Sequence, residues 1–221
     1  MADQSTLEWR GEVPVSTRFD DPYFSLENGL AETRHVFLQG NDLPARFRDG
    51  FHIAELGFGT GMNLLAALQL WRDAGIAGQL RFTSFEAFPL AAGEMIRAQA
   101  AFPEVAGVAK DLAPYWQKDA REIILPDLHF QMIEGDARAT LPAWEGLADA
   151  WFLDGFSPAK NPELWAPDLM QAVADHTAAQ GTAATYTAAG HVRRALAEAG
   201  FEVTRLTGYG RKRHMTQARK A

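Results

Sequence analysis

The sequence predicts an α/β fold built on a mostly parallel sheet of seven strands, of which the C-terminal strand is antiparallel. Three observations carry this prediction. From Phe51 onward, short apolar runs alternate with helix-length segments, which is the pattern of a parallel sheet with crossover helices. A loop with three glycines follows the first of these runs. Only the turn at residues 208–212 joins the last two runs, which suits a hairpin and is too short for a crossover.

Local signals bound the predicted elements. Pro89 and Pro162 stand where a helix tolerates proline in its first turn, and Gly75 and Gly200 stand where helices end. The predicted strands are residues 52–55, 80–85, 128–133, 148–153, 181–187 and 201–207, with a last strand near 213–219. The predicted helices are residues 30–39, 63–74, 91–101, 105–116, 162–180 and 190–199.

The length of 221 residues suits one large domain with a modest extension. The first fifty residues are rich in turn formers, for example at 20–22 and 40–44. We therefore expect residues 1–50 to form an N-terminal extension that packs on a core, residues 51–221, which is a single globular unit.

The composition excludes several classes of protein. The chain is 47% hydrophobic and 22% charged, which is ordinary for a globular protein. It contains no cysteine, which excludes disulfides, iron–sulfur clusters and thiol catalysis and fits a cytoplasmic setting. No signal peptide or membrane-spanning run is predicted, and the six histidines form no metal-binding pattern.

Charge is distributed unevenly along the chain. The net charge of −7 argues against nucleic-acid binding by the body as a whole. From Gly200 onward, however, six basic residues face the single acid Glu202. This basic end either steers the protein toward phosphates or protects a solvated sheet edge from aggregation. Its basic residues are Arg205, Arg211, Lys212, Arg213, Arg219 and Lys220.

The glycine loop is the most informative segment. Glu55 is followed by Gly57, Gly59 and Gly61 in the pattern E-x-G-x-G-x-G, between a predicted strand and a predicted helix. A dinucleotide fingerprint, G-x-G-x-x-G, would place its third glycine at position 62, which is Met62. The pattern instead resembles motif I of S-adenosylmethionine-dependent methyltransferases, whose cofactor is cationic and suits the acid. The alternative is a glycine turn that only lets strand and helix pack.

Acids also end three further predicted strands. Glu86 follows the second strand, Asp136 the third and Asp154 the fourth. Ligands of doubly wound sheets bind at the carboxyl ends of the strands. We expect Glu86 to accept from ribose hydroxyls and Asp136 from an adenine amino group. One such acid alone would more often be a helix cap or turn residue, but four in succession are hard to assign to capping.

Several longer segments resemble one family. They are residues 154–165 (DGFSPAKNPELW), 208–213 (GYGRKR), 21–25 (DPYFS) and 28–34 (NGLAETR). With the glycine loop, they resemble the methyltransferase domain of the tRNA 5-methylaminomethyl-2-thiouridine biosynthesis proteins, the MnmC/MnmD type. The resemblance extends over roughly residues 19–215. It implies the class I, Rossmann-like methyltransferase fold.

The resemblance also implies a reaction. S-adenosyl-L-methionine would donate a methyl group to the primary amine of 5-aminomethyl-(2-thio)uridine at the wobble position of tRNA. Many members carry a flavin-dependent oxidase domain that makes this amine. No flavin fingerprint is present here, so we expect methylation alone. The expected partners are the anticodon region of tRNA and, functionally, a separate enzyme that supplies the aminomethyl group, with no membrane and no metal.

Candidate site residues follow from the strand ends and from the resemblance. Asp154 is the candidate catalytic residue, binding and orienting the amine. The cofactor-binding candidates are Phe24, Glu55, Gly57, Phe58, Gly59, Gly61, Asn63, Glu86, Asp136 and Ala137. The substrate-binding candidates fall into two groups. Those for a wall against the base are Phe156, Pro158, Trp165 and Tyr186, and those for phosphate contacts are Lys160, Arg211, Lys212 and Arg213.

Two other functions remain open at this point. The first is a methyltransferase that acts on the amine or hydroxyl of a small molecule or protein, which the acidic body favours. The second is a non-catalytic RNA-binding module on a methyltransferase fold. The retained glycines and acids of the cofactor site count against the module, because a degenerate site has no use for them.

Overall fold

In the computed structural model, which describes residues 7–25 and 28–220, a small antiparallel sheet precedes the main sheet. Its three strands are β1 (Leu7–Arg10), β2 (Val13–Ser16) and β3 (Asp21–Pro22), paired in that order. The sequence did not predict these strands, because they are short and lie among turn formers.

The main sheet has eight strands. They are β4 (His52–Leu56), β5 (Leu80–Glu86), β6 (Glu122–Leu125), β7 (Leu128–Glu134), β8 (Ala148–Leu153), β9 (Thr177–Thr185), β10 (Phe201–Thr207) and β11 (His214–Lys220). Their order across the sheet is β10, β11, β9, β8, β4, β5, β7, β6. From β9 to β7 all neighbours are parallel, whereas β11, β10 and β6 each pair antiparallel with a neighbour.

The mostly parallel α/β sheet with an antiparallel C-terminal hairpin is therefore confirmed, whereas the predicted number of seven strands is wrong. The additional strand is β6, at the edge of the sheet. Only Ile123 of its four residues is buried, while Ile124 is exposed. So short a run with one buried side chain has no clear strand pattern in the sequence.

Helices cover both faces of the sheet. They are α1 (Gly29–Thr33), α2 (Met62–Asp73), α3 (Ala92–Gln99), α4 (Ala106–Trp116), α5 (Ala137–Thr140), α6 (Pro167–Asp175) and α7 (Gly190–Glu198). Alternate strand residues point to opposite layers. Ile53 and Phe152 pack in the core with α2, α3 and α4, while Ala54 and Trp151 pack with α5, α6 and α7.

The predicted helix at 162–180 is wrong in extent. A short 3-10 turn (Pro162–Trp165) comes first, and Ala166 is then extended at φ −68° and ψ 149°. Proline disfavours the helical conformation in the residue before it, so Pro167 separates the turn from α6. The chain leaves α6 at His176 and enters β9 at Thr177, earlier than the predicted strand start at 181.

The predicted helix at 30–39 is a composite. Asn28 caps α1 by accepting a hydrogen bond from the backbone N–H of Ala31 at 2.9 Å. A π-helical turn (Arg34–Leu38) and a 3-10 turn (Gln39–Asn41) continue the segment. Asn41 is fully buried and donates to the backbone oxygen of Trp151 at 3.3 Å, which ties this segment to β8.

In the described residues no helix is long and apolar enough to cross a membrane.

Candidate active site

A cleft of about 890 Å³ lies at the carboxyl ends of the parallel strands. Loops that follow β4, β5, β7, β8 and β9 line it, together with the N-terminal segment around residues 18–25, α1 and the β10–β11 turn. Fourteen of the nineteen candidate residues from the sequence line this cleft. They are Phe24, Gly57, Phe58, Gly59, Asn63, Glu86, Asp136, Ala137, Asp154, Phe156, Lys160, Tyr186, Arg211 and Lys212.

The glycine loop makes the tight turn at the end of β4. Gly57, Gly59 and Gly61 have φ angles of +83°, +53° and +75°, which favour glycine. A Cβ atom on Gly57 would lie 3.0 Å from the Cα atom of Gly155, so this glycine also lets the β4 and β8 loops approach. Gly61 caps the N-terminus of α2 and does not line the cleft.

Glu86 is fastened to the glycine loop. Its carboxylate accepts hydrogen bonds from the backbone N–H of Gly59 at 3.0 Å and of Phe88 at 2.7 Å. Burial raises the pKa of Glu86, and these backbone donors oppose the increase. The acid predicted for the ribose, Glu86, therefore lines the cleft together with Gly57 and Gly59.

Asp136 lies on the same side of the cleft and is exposed. It caps α5 by accepting from the backbone N–H of Arg138 at 2.9 Å, and its Oδ2 atom lies 2.6 Å from the guanidinium of Arg138. The hydrogen bond from Arg138 lowers the pKa of Asp136 and keeps it ionised. The capping alternative considered from the sequence thus describes one part of its role.

Asp154 follows β8, which neighbours β4 on the side away from β5. Its Oδ1 atom accepts from the backbone N–H of Gly155 at 2.9 Å, and its Oδ2 atom accepts from the Asn63 amide at 2.8 Å. Burial raises the pKa of Asp154 from 3.8 to about 6. A carboxylate with this pKa is largely ionised at neutral pH and titrates just below it.

Glu55 occupies a different place from the one expected. Its side chain is fully buried, does not line the cleft, and accepts from Ser84 Oγ at 2.6 Å and Asn63 Nδ2 at 2.8 Å. Burial raises its pKa well above the ordinary value. The expectation that Glu55 faces a ligand in the cleft is therefore corrected, because its carboxyl group points into the core and bonds to Asn63.

The four candidates for a wall against the base, Phe156, Pro158, Trp165 and Tyr186, lie in or against the loop after β8. Trp165 is buried outside the cleft lining, and its indole N–H donates to the backbone oxygen of Phe156 at 2.9 Å. Tyr186 donates to the backbone oxygen of Gly155 at 2.8 Å. Pro158 lies in this loop but does not line the cleft. Trp165 is consequently a support of the loop rather than part of the wall.

The basic candidates also differ from expectation. Lys160 pairs with Asp20 and Asp21, and its ammonium donates to the backbone oxygen of Asp20. The ammonium of Lys212 lies 2.7 Å from Glu32 and 4.2 Å from the centre of the Tyr186 ring. Both lysines are engaged within the protein, which argues against phosphate contacts for them.

The two arginines of the basic turn are exposed. Arg211 lines the cleft, whereas Arg213 lies outside its lining.

Of the N-terminal residues that line the cleft, sequence reasoning named Phe24 but missed Phe19, Asp21 and Tyr23. Phe19 stacks on Phe156 with ring centres 4.6 Å apart, and Tyr23 meets the same ring edge-on at 5.1 Å. Asp21 accepts from the backbone N–H of Ser157 at 2.9 Å. We call residues 18–25 the strap. The D-P-Y-F-S segment marks it in the sequence, but its partners lie more than a hundred residues away.

No group of three or more His, Asp or Glu side chains in the described part of the chain is arranged to hold a metal ion.

Comparisons with known proteins agree with this geometry. A sequence model of a family described as S-adenosyl-L-methionine-dependent methyltransferases matches residues 103–221. The chain is 47% identical to a tRNA 5-methylaminomethyl-2-thiouridine biosynthesis bifunctional protein MnmC from a Caulobacter species, covering 97% of this chain and 38% of that protein. The protein of the same name from Aliivibrio fischeri is 43% identical, with 96% and 34% covered. The chain thus spans little more than a third of these relatives.

Solved structures extend the comparison. The crystal structure of MNMC2 from Aquifex aeolicus has a TM-score of 0.78 and 28% identity, covering 93% of this chain and 66% of that chain. TrmN from Thermus thermophilus, with a TM-score of 0.51 and 16% identity over 83% of this chain and 47% of that one, shares the fold. The matched family, the glycine loop and the acids at the strand ends lead to one conclusion: the chain belongs to the S-adenosyl-L-methionine-dependent methyltransferases.

Proposed function

We propose that this enzyme methylates the primary amine of 5-aminomethyl-(2-thio)uridine at the wobble position of tRNA. The observation that carries the proposal is the position of Asp154, whose carboxylate lines the same cleft as the glycine loop and Glu86. An amine held there would meet a carboxylate on one side and the cofactor on the other. The names of the relatives supply the tRNA substrate, and the exposed basic turn supports it.

The cleft suits the cofactor of the family. Gly57 and Gly59 have no side chains and let a ligand approach the backbone of the loop, and Glu86 presents a carboxylate beside it. We assign the ribose hydroxyls to Glu86 and the adenine to Asp136 and Ala137. Gly57, Phe58 and Gly59 would lie along the bound molecule, with Phe24 in the strap covering it. When bound, S-adenosyl-L-methionine would supply a sulfonium methyl carbon that the amine lone pair attacks, and S-adenosylhomocysteine would leave as the thioether.

Asp154 acts on the amine. An amine must be a free base to attack, and a nearby carboxylate stabilises its ammonium form. A carboxylate with a pKa of about 6 is a stronger proton acceptor than an ordinary aspartate, and it can take up the proton that the amine loses. Its fixed hydrogen bonds to Asn63 and Gly155 orient it. We therefore assign to Asp154 the positioning of the amine first and proton uptake second.

The base is held by aromatic side chains at the cleft. Phe156 already has Phe19 stacked against it, so the wall for the uracil is this pair rather than Phe156 alone. Tyr186 has the ammonium of Lys212 over its ring and contributes one edge of the pocket. We assign phosphate contacts to Arg211 and Arg213, which are exposed in the basic turn.

The N-terminal residues belong to the same unit. We propose that residues 1–50 are an extension of the methyltransferase domain, residues 51–221. The strap bonds to the loop after β8, and Asn41 is buried against β8.

The substrate also requires a preceding activity that installs the aminomethyl group, because methyl transfer does not form the carbon–nitrogen bond of that group.

Labelled methyl transfer tests the proposed function. The enzyme should transfer label from S-adenosyl-L-methionine to tRNA that carries 5-aminomethyl-2-thiouridine, and not to the same tRNA without the aminomethyl group. Transfer only to free small-molecule or protein amines would overturn the assignment and favour the alternative methyltransferase. Asp154→Ala should remove transfer to tRNA while the protein still binds the cofactor in calorimetry.

A further inference from the structure

Asn63 joins two carboxyl groups that stand on different strands. Its Nδ2 atom donates to Glu55 Oε1 at 2.8 Å and to Asp154 Oδ2 at 2.8 Å. Its Oδ1 atom accepts from the hydroxyl of Thr33 at 2.9 Å. A primary amide has two N–H groups, so both donors are used. The side chain has no donor left for a ligand in the cleft.

The orientation of this amide is determined by its neighbours. Exchanging its oxygen and nitrogen would bring the oxygen against two carboxyl groups and leave the Thr33 hydroxyl facing an NH2 group. Asn63 is only 4% exposed and Glu55 is fully buried, so these hydrogen bonds lie where solvent competes little. Asn63 also belongs to the first turn of α2, which fixes its backbone.

Glu55 is held from its other side as well. The hydroxyl of Ser84, on the neighbouring strand β5, donates to Glu55 Oε2 at 2.6 Å. The chain of hydrogen bonds therefore runs from Ser84 through Glu55 and Asn63 to Asp154. It crosses from β5 through β4 and α2 to the end of β8, and only Asp154 and Asn63 of these four side chains line the cleft.

We propose that Asn63 and Glu55 are positioning residues for Asp154, and that neither binds the cofactor directly. Asn63 holds the Asp154 carboxylate in one orientation, and Glu55 fixes the Asn63 amide. The inference rests on the proposed function, in which Asp154 receives the amine. In this assignment the motif I acid, Glu55, does not contact the ligand but acts on Asp154 through the Asn63 amide.

Several charged groups surround Asp154 and enter any pH dependence. Glu55 faces it from β4, Glu32 from α1 and Lys212 from the β10–β11 turn, while Tyr186 lies close to it after β9. Burial raises the pKa of Asp154, and the donors on Asn63 and Gly155 oppose the increase. Loss of the Asn63 donors should therefore raise the pKa of Asp154 further.

The decisive variant is Asn63→Asp, which keeps the shape but removes both N–H donors. The acid limb of the kcat profile should lie near pH 6 in the wild type. In Asn63→Asp it should move up by about one pH unit, which is a loss of roughly five- to sixfold in kcat at pH 6. Cofactor affinity in calorimetry should change less than about threefold, because the amide does not reach the cofactor.

Matched variants keep the result interpretable. Thr33→Val removes the hydrogen bond on the other side of the amide but leaves both N–H donors, so its acid limb should stay near the wild-type position. If Asn63→Asp does not fold, Ser84→Ala loosens Glu55 from outside the cleft and should move the limb in the same direction by a smaller amount. An unchanged acid limb, or a large loss of cofactor affinity with the limb in place, would overturn the proposal.

Titration of the carboxyl group itself separates this inference from the proposed function. Carboxyl carbon NMR of the wild type, with the Asp154 signal assigned by its loss in Asp154→Asn, gives a midpoint without any substrate. A higher midpoint in Asn63→Asp supports the positioning role even if tRNA is not the substrate. An unchanged midpoint contradicts it even if tRNA is methylated.

Discussion

Phe19 and Phe156 stack with ring centres 4.6 Å apart and planes inclined by 24°, although 137 positions separate them in the chain. The contact closes the strap over the loop that carries Asp154. The carboxylate of Asp21 strengthens it by accepting from the backbone N–H of Ser157. The small N-terminal sheet is tied at its other end too, where the Trp9 indole donates to Glu94 on α3 at 2.8 Å.

Removal of the Phe19 ring should loosen the strap. An aromatic pair contributes about 0.5–1.5 kcal/mol beyond the area it buries, so Phe19→Ala should weaken cofactor binding by roughly two- to tenfold. Calorimetric titration with S-adenosyl-L-methionine measures the change. Ile124→Ala, an apolar truncation on exposed β6 away from the cleft, is the matched control. Equal affinity in Phe19→Ala and the control would contradict a covering role for the strap.

Gly57 and Gly75 offer a matched pair for the glycine loop. Both have positive φ, but a Cβ atom on Gly57 would lie 3.0 Å from Gly155, whereas nothing lies within 4 Å at Gly75. Gly75→Ala should lower the free energy of unfolding by about 1–2 kcal/mol through backbone strain. Gly57→Ala should lower it by roughly 1–3 kcal/mol more, because backbone must move, and should also abolish cofactor binding. Urea denaturation measures the free energy of unfolding of both variants. The structure requires the loss in Gly57→Ala to exceed the loss in Gly75→Ala.

Asp154 should make stability depend on pH. Because its pKa rises from 3.8 to about 6 on folding, the folded protein binds this proton more tightly than the unfolded chain does. Its favourable contribution is fully present below about pH 4 and is lost as the pH rises through 6. The melting temperature of Asp154→Asn relative to wild type should therefore increase between pH 4 and pH 7. A constant difference across this range would place the group in an ordinary solvated environment.

Charge reversal tests the proposed tRNA contact. Arg211→Glu should raise the KM for tRNA and reduce the slope of log affinity against log salt by about one, because one phosphate contact is lost. Cofactor affinity should stay the same. Lys110→Glu on α4 makes the same change of net charge outside the cleft lining. If both variants weaken tRNA binding equally, the effect belongs to the overall charge and not to the basic turn.

The sequence predicted the sheet well because short, largely apolar segments alternate with helix-length segments from Phe51 onward. It could also place Glu86, Asp136 and Asp154 at one edge, since the carboxyl ends of parallel strands meet there. The role of Glu55 could not be foreseen in the same way. Whether an acid beside a glycine loop points to the ligand or into the core depends on its partners. Here Asn63 and Ser84 donate hydrogen bonds to the Glu55 carboxyl group inside the core.

Lysine contacts were likewise beyond the reach of sequence patterns. Lys160 stands in a loop that suits phosphate binding, yet Asp20 and Asp21 from the strap engage it. Such pairs join segments 140 residues apart, so the local pattern of the sequence does not predict them. The break before α6 could have been predicted from the sequence. Pro167 disfavours the helical conformation in the residue before it, which is Ala166.

Nucleoside analysis of the reacted tRNA tests the central claim most directly. After incubation with S-adenosyl-L-methionine, tRNA carrying 5-aminomethyl-2-thiouridine would be digested and its wobble nucleoside identified by mass spectrometry. We predict conversion to 5-methylaminomethyl-2-thiouridine by the wild type and unchanged starting nucleoside with Asp154→Asn. A methyl group on any other nucleoside, or full conversion by Asp154→Asn, would contradict the account.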